Sequence, residues 1–462
     1  MKSRDPILAR WEEILREHGR RPALFDSQGE ISRSFLGIER EAEEWAIKLE
    51  NVAPGTLLAL QIGNHRSWPA CFLACLRRGL PVLPLETTIT ETERTTALNL
   101  TGAKGLFIAG ENGEVALNPI DTRNAIRLPA ECSLLKLTSG TTAAPRAIQF
   151  RSGQLLADCD QICQTMGIGA NDLNYGVIPI SHSYGFSNLL TPLLARGVAM
   201  VVTGDRLPRA VLNGLGKTRA TVFPGMPVFY QAFCAFDDLP DLSALRLCIS
   251  AGAPLSAALA REYRQKFGQS IHSFYGSSEC GGICYDREAE NFVDGFVGSP
   301  MSGVTLELVE PAAGSTQIEV RSGAVADGYF PEPNPDKLGN GVFRPDDLLE
   351  PAGSGFRIAG RVSDLINVAG KKVNPAEVEI HLLSITGVRQ AVVFSRPSTV
   401  RNEEIAACVV ADEDVNEAEL LRSCRAHLNG WKIPRRIFLV PEIPVNERGK
   451  TSRRELAALF AS

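Results

Sequence analysis

The chain has 462 residues, with 48 Lys and Arg against 53 Asp and Glu, and its 44% hydrophobic and 22% charged residues are ordinary for a globular protein. This length predicts two or more domains, or one large domain with an appendage, and ample material for a core. The net charge of −5 leaves no general basic field to attract nucleic acid or anionic lipid, and no run approaches the roughly 18 apolar residues of a membrane helix.

In chain order, the opening MKSRDPILARWEEIL puts charges where a secretory signal needs an apolar core, so no secretion is expected. The odd count of 11 Cys agrees with a reducing cytoplasm. Apolar residues at Ile7, Leu8, Trp11, Ile14 and Leu15 predict a first helix over 7–17, and a second is expected over 35–49. LLALQIG (57–63) reads as a buried strand. A helix over 69–78 and the strand GLPVLPL (79–85) follow. Further apolar runs at 105–110, 175–180, 198–204, 220–225 and 245–252 alternate with helical patterns. That alternation predicts α/β layers with largely parallel sheets. From about residue 295, short alternating segments joined by Gly and Pro predict antiparallel β structure. The last hundred residues, with a helix near 417–428 and a basic tail, read as a small α+β unit beginning near 360–364. The pairs Cys71/Cys75, Cys159/Cys163 and Cys280/Cys284 are read as buried free thiols, because no second pair completes a metal site.

Five segments carry candidate chemistry. Thr138-Ser139-Gly140-Thr141-Thr142 follows a predicted strand. Hydroxyls and backbone N–H groups there suit a polyphosphate, with Arg146 as a phosphate partner; the same residues also suit a Ser/Thr-rich surface turn. Neither a complete GxxxxGK[ST] loop nor GxGxxG is present. SFYGSSECGGI (273–283) offers Tyr275, small residues and one carboxylate, Glu279, which suits Mg²⁺ beside phosphates or a solvated loop. SAGAPL (250–255) would let an aromatic base approach the backbone. Asp347 and Arg361 suit a ribose diol, and Lys450 lies in a Gly turn that is equally a solvated charge cluster.

The order of these segments resembles the adenylate-forming superfamily of acyl- and aryl-CoA synthetases, luciferases and peptide-synthetase adenylation domains. TSGTTAAPRA, FYGSSE, GFVGSPMSG, GRVSDLINVAGKKVNPAEVE and ERGKTSRREL carry the resemblance, and CLRRGLPVLPL fits an early family segment. It implies an N-terminal adenylation domain over 1–360, a hinge at 361–364 with Asp364 at its pivot, and a small mobile C-terminal α+β lid over 365–462. It further implies ATP, Mg²⁺ and a carboxylic acid, giving acyl-AMP, and then transfer to CoA or a carrier-protein phosphopantetheine.

By that resemblance, Thr138 to Thr142 hold the β/γ-phosphates, Ser278 touches the α-phosphate and Glu279 holds Mg²⁺. Gly252, Ala253, Pro254, Tyr275, Gly276 and Ser277 cradle the adenosine, Asp347 and Arg361 bind the ribose, and Lys450 stabilises transition-state charge. Lys371 and Lys372 serve the acceptor or are solvated. His182 stands where amino-acid-activating members carry an Asp, which implies a fatty or aromatic acid without an α-ammonium; a structural His is the other reading. Phe186, Phe223, Met226, Gly281 and Gly282 are the expected pocket walls. The family's Gly-x-Pro-Lys-Gly is here Ala143-Ala144-Pro145-Arg146-Ala147, and its Thr-Gly-Asp is Pro345-Asp346-Asp347. Arg keeps the charge without the compact ammonium. These departures motivate an alternative: an impaired homologue acting as a binding module. A hydrolase has little support, since no GxSxG is present.

Overall fold

A computed structural model describes residues 5–122, 126, 128–129, 131–138, 146–312, 315–368, 371–398, 402–444 and 452–460. The chain divides into two compact units. The first comprises residues up to 307, 319–344 and 351–357; the second comprises 308–318, 345–350 and 358 onward. The large α/β part and the small α+β part expected from the sequence are both present.

In the first unit, apolar runs fold as strands buried along their whole length. Leu58–Gln61, Val222–Gly225 and Leu247–Ser250 are buried at every position. One sheet places Leu58–Gln61 in parallel between Val82–Pro84 and Gly105–Ala109. It continues through Leu134–Leu137 to the antiparallel Ala147–Phe150 and Gly328–Phe330. A second sheet pairs Pro22–Phe25, Ala199–Val202, Leu173–Gly176, Val222–Gly225, Leu247–Ser250 and Ile271–Ser277 in parallel. Gly281–Tyr285 then turns back antiparallel. Parallel strands covered on both faces need unbroken apolar sequence, which is what these runs supply.

The expected helices form at Pro6–His18, Phe35–Lys48 and Trp68–Arg78. The first buries Ile7, Trp11 and Ile14. One expected strand is displaced: it runs over Leu173–Gly176, and residues 177–180 leave the sheet. Asn64 takes over their backbone pairing, donating to the Gly176 and Ile178 carbonyls at 2.8 and 3.0 Å and accepting from the Ile180 N–H at 2.8 Å. Pro179 supplies no N–H of its own for a ladder.

The second unit is built on the hairpin Val388–Ser398 and Asn402–Ala411. Its period-two alternation sends Ile405, Ala407 and Val409 into one core, with Val378, Leu382, Leu420 and Cys424. Ala406 and Cys408 enter another, with Phe394 and Leu456. The expected helix near 417–428 is Glu417–His427.

Candidate functional site

In the first unit the site grows from three strand ends. Strand Leu134–Leu137 runs into the Thr/Ser/Gly-rich segment. Ser139, Gly140, Thr141 and Thr142 lie outside the described residues, but both ends of that segment are placed. The Thr138 N–H and hydroxyl donate to the Arg146 carbonyl at 2.8 and 3.2 Å, closing the mouth of the loop. The Arg146 guanidinium lies 5.9 Å from the centre of the Tyr329 ring.

The turn between Ile271–Ser277 and Gly281–Tyr285 carries Ser278 and Glu279. The Tyr329 hydroxyl donates to Glu279 Oε1 at 3.0 Å, the Ser277 hydroxyl donates to Oε2, and the Ala326 N–H donates to the Glu279 carbonyl at 2.9 Å. Both carboxylate oxygens are therefore oriented, and Tyr329 joins the Glu279 turn to Arg146 at the loop mouth. Sequence reasoning missed Tyr329, because it lies 50 residues from Glu279 and only strand Gly328–Phe330 brings it near. Among the described residues, no group of three or more His, Cys, Asp or Glu could hold a metal. A single carboxylate ringed by hydroxyls fits a hard cation that takes its other oxygens from phosphate and water.

His182 caps the short helix Ser183–Gly185 and is exposed. Its Nδ1 accepts from the Tyr184 N–H at 3.1 Å, which places the proton of the neutral ring on Nε2. The next residue, Ser183, donates to Ser278 Oγ at 3.0 Å, so the His182 turn is tied to the Glu279 turn. That turn is tight: a Cβ on Gly185 would lie 2.0 Å from the Pro179 carbonyl oxygen.

Gly252, Ala253 and Pro254 are exposed at the end of strand Leu247–Ser250, whereas Tyr275 is buried. Gly276 sits against Gly281, whose carbonyl oxygen lies 2.6 Å from where a Cβ would be.

Of the expected pocket walls, Phe186 is 1% exposed, edge-on to Trp68 and Phe72, and Phe223 packs among Tyr175, Phe229, Tyr230 and Phe233. Met226 precedes helix Pro227–Cys234. The space a Cβ would fill is already occupied at both expected pocket glycines. At Gly281 it is 2.1 Å from Asp158 Oδ1, and at Gly282 it is 2.6 Å from Met301 Sδ. These glycines answer a packing demand whatever lies in front of them.

Behind the turn lie two charges the sequence reading did not single out, Lys136 and Asp158, both buried. Burial pulls the Lys136 ammonium down to about 8 against the pull of Asp158, Cys280 and Glu279. Burial likewise pushes the Asp158 carboxyl up, opposed by Lys136, Ser187 and the Gly282 N–H. A signal existed for both: each is a charge on an otherwise apolar strand or helix face.

In the second unit Arg361 Nε donates to Asp347 Oδ1 at 2.7 Å, so these two expected ribose residues meet directly. Asp364 is ion-paired with Arg453, which also binds the Glu379 carboxylate and the Val393 carbonyl. Lys371 and Lys372 lie on a strand, Lys371–Val373; Lys450 lies outside the described residues.

The family described as AMP-binding enzyme matches residues 11–330, and the AMP-binding enzyme C-terminal domain matches 377–450. A feruloyl-CoA synthase from Amycolatopsis sp is 27% identical over 90% of this chain and 91% of its own length. A 3,4-dihydroxybenzoate–[aryl-carrier protein] ligase from Bacillus anthracis is 26% identical over 71% of this chain and 74% of its own. The ATP-bound MatB structure from Rhodopseudomonas palustris superposes with a TM-score of 0.86 over 98% of both chains at 24% identity, a likeness of fold.

Proposed function

The chain belongs to the AMP-binding enzyme family, and from that premise we propose that it is an AMP-forming acid–thiol ligase acting on an aromatic carboxylic acid with CoA as acceptor. The observation that carries the reading is Glu279, a carboxylate held on both oxygens by Ser277 and Tyr329 beside a loop mouth closed by Thr138 and Arg146.

In the first step the acid's carboxylate attacks the α-phosphorus of ATP. A P–O bond to the acid forms, the bond to the β-phosphate breaks, and pyrophosphate leaves. Such chemistry needs positioning and charge neutralisation more than covalent catalysis. Thr138 to Thr142 hold the terminal phosphates with Arg146, and Ser278 meets the α-phosphate. Glu279 would hold Mg²⁺, which would supply positive charge against the phosphates. Gly252 to Pro254 and Tyr275 to Ser277 take the adenosine, the Asp347–Arg361 pair takes the ribose, and Lys450 meets developing charge. In the second step the thiol sulfur attacks the acyl carbon and AMP leaves.

His182 in place of an ammonium-binding Asp supports an acid without an α-amino group. The aromatic assignment follows the feruloyl and dihydroxybenzoate relatives. The impaired-homologue alternative is not favoured, since the relatives are themselves ligases.

The test is pyrophosphate release with ATP and Mg²⁺ across aromatic and fatty acids, with and without CoA. Release with aromatic acids, faster with CoA, is expected, and Glu279→Gln should lower it about 10²–10³-fold. Lys450→Ala should sharply lower adenylate formation. Release with fatty acids alone, or turnover unaffected by CoA, would replace the substrate or acceptor assignment; none with any acid would overturn the ligase reading.

A further inference from the structure

Tyr329 stands where two groups assigned to the phosphates meet, and the two steps described above give it no part. It is 6% exposed, on strand Gly328–Phe330, opposite Ile148 of strand Ala147–Phe150. Its hydroxyl donates to Glu279 Oε1 at 3.0 Å, and the Arg146 guanidinium lies over its ring, 5.9 Å from the centre. Arg146 immediately precedes the partner strand, so one strand register delivers both contacts.

Ala326 and Asp327 fix that strand. The Ala326 N–H donates to the Glu279 carbonyl at 2.9 Å, and the Asp327 N–H donates to the Gln149 carbonyl at 3.0 Å. Asp327 Oδ1 accepts from Arg151 Nη2 at 2.7 Å and from Gln154 Nε2 at 2.9 Å, at the start of helix Ser152–Met166. The segment 326–329 thus grips Glu279 twice, once by its backbone and once by its carboxylate. An ionised carboxylate has about four acceptor positions. The hydroxyls of Tyr329 and Ser277 use one on each Glu279 oxygen, which leaves capacity on both for a cation.

We propose that Tyr329 is a positioning residue that sets the Mg²⁺ affinity of the nucleotide site, its hydroxyl fixing the Glu279 carboxylate in the orientation that receives the cation. This rests on the reading of Glu279 as the Mg²⁺ ligand. Without the hydroxyl the carboxylate loses its hold on Oε1 and turns more freely about χ3, whose torsional well is broad. Binding a cation then carries the cost of ordering that carboxylate. Hydrogen-bond partners of metal-binding groups are worth about 10–100-fold in metal affinity or activity.

Tyr329→Phe isolates the hydroxyl, because the ring that fills the buried site and lies under Arg146 is kept. The probe is α,β-methylene-ATP, which cannot release pyrophosphate, titrated by calorimetry with Mg²⁺ and separately with EDTA. Wild type should bind the analogue more tightly with Mg²⁺, and Glu279→Gln should lose most of that gain. Tyr329→Phe should weaken the Mg²⁺ form about tenfold and leave the metal-free form unchanged; the unchanged metal-free affinity also shows that the variant is folded. In pyrophosphate release, Tyr329→Phe should need about tenfold more Mg²⁺ for half-maximal rate and regain most of kcat when Mg²⁺ is saturating. A merely structural loss would lower the rate at every Mg²⁺ concentration. A Mg²⁺ gain in Tyr329→Phe equal to wild type, with the gain lost in Glu279→Gln, would overturn the role of Tyr329 alone. A gain undiminished in Glu279→Gln would overturn the Mg²⁺ reading of Glu279 and this role with it. Equal weakening of the Mg²⁺ and metal-free forms in Tyr329→Phe would overturn the assignment to the cation.

Discussion

At the scale of single residues, glycines and buried charges decide the most. Gly281 is the sharpest case. Gly281→Ala places a methyl group 2.1 Å from Asp158 Oδ1 in a left-handed backbone. We predict a loss of about 2–4 kcal/mol, read by urea denaturation; an unchanged midpoint would refute the close approach.

Asp172 and Arg246 give a test in pH. Burial acts to raise the Asp172 carboxyl, but bonds from Arg246, the Gly169 N–H and the Thr221 hydroxyl outweigh it and hold the carboxyl below its usual range. Arg246 Nε and Nη2 donate to its two oxygens at 2.8 and 2.6 Å. The folded state thus binds this proton less readily than the unfolded chain. The stability this contributes is present above the ordinary carboxylate value and is lost as pH falls through the lowered one. Arg246→Ala should cost about 2 kcal/mol at neutral pH, less than a fully buried pair because Arg246 is 43% exposed. The gap to wild type should narrow in acid. A gap that is constant from pH 7 to 3 would remove Asp172 from the account.

At the scale of elements, helix ends show how local sequence and long-range contact combine. Asp5 caps helix Pro6–His18, its Oδ1 accepting from the Ile7 and Leu8 N–H groups at 2.9 and 3.2 Å. Its other oxygen accepts from the Ser152 hydroxyl at the start of helix Ser152–Met166, and Ser152 meets Ser133 at 2.8 Å. Asp5→Ala should therefore cost more than an isolated cap, about 2 kcal/mol in chemical denaturation. A loss near zero would mean that neither bond persists in solution. The cap itself is readable from Asp-Pro before an apolar period of 3.6. The bond to Ser152 is not, because it spans 147 residues. The same limit explains the displaced strand: residues 175–180 are apolar enough for a strand throughout, and Asn64 ends it after Gly176.

At the scale of the whole molecule, all eleven cysteines are free and buried, distributed over both units. Desolvation pushes Cys75, Cys132, Cys248 and Cys284 up to about 12, far from the thiolate form. Native protein should react with few equivalents of a thiol reagent, and denatured protein with all eleven. Rapid labelling of many thiols before unfolding would contradict the packing. The spacing-of-four pairs are thus core positions: Cys71/Cys75 and Cys159/Cys163 lie on helix faces, whereas Cys280 lies in a turn and Cys284 on the strand after it.

By itself the sequence determined the α/β class, the parallel strands and the order of the nucleotide segments, because each is written in contiguous residues: apolar runs, helical periods, and loops such as Thr138 to Thr142 or Tyr275 to Glu279. Asp347 and Arg361, 14 residues apart and both expected at a ribose, bond to each other. Only the tertiary structure decided what stands behind those loops. Tyr329 on Glu279, Ser183 on Ser278, Arg453 on Asp364 and Asp158 on Gly282 each join residues far apart in the chain. Their partners are set by strand order and register, and a charge in an apolar segment states only that some partner is required, not which one.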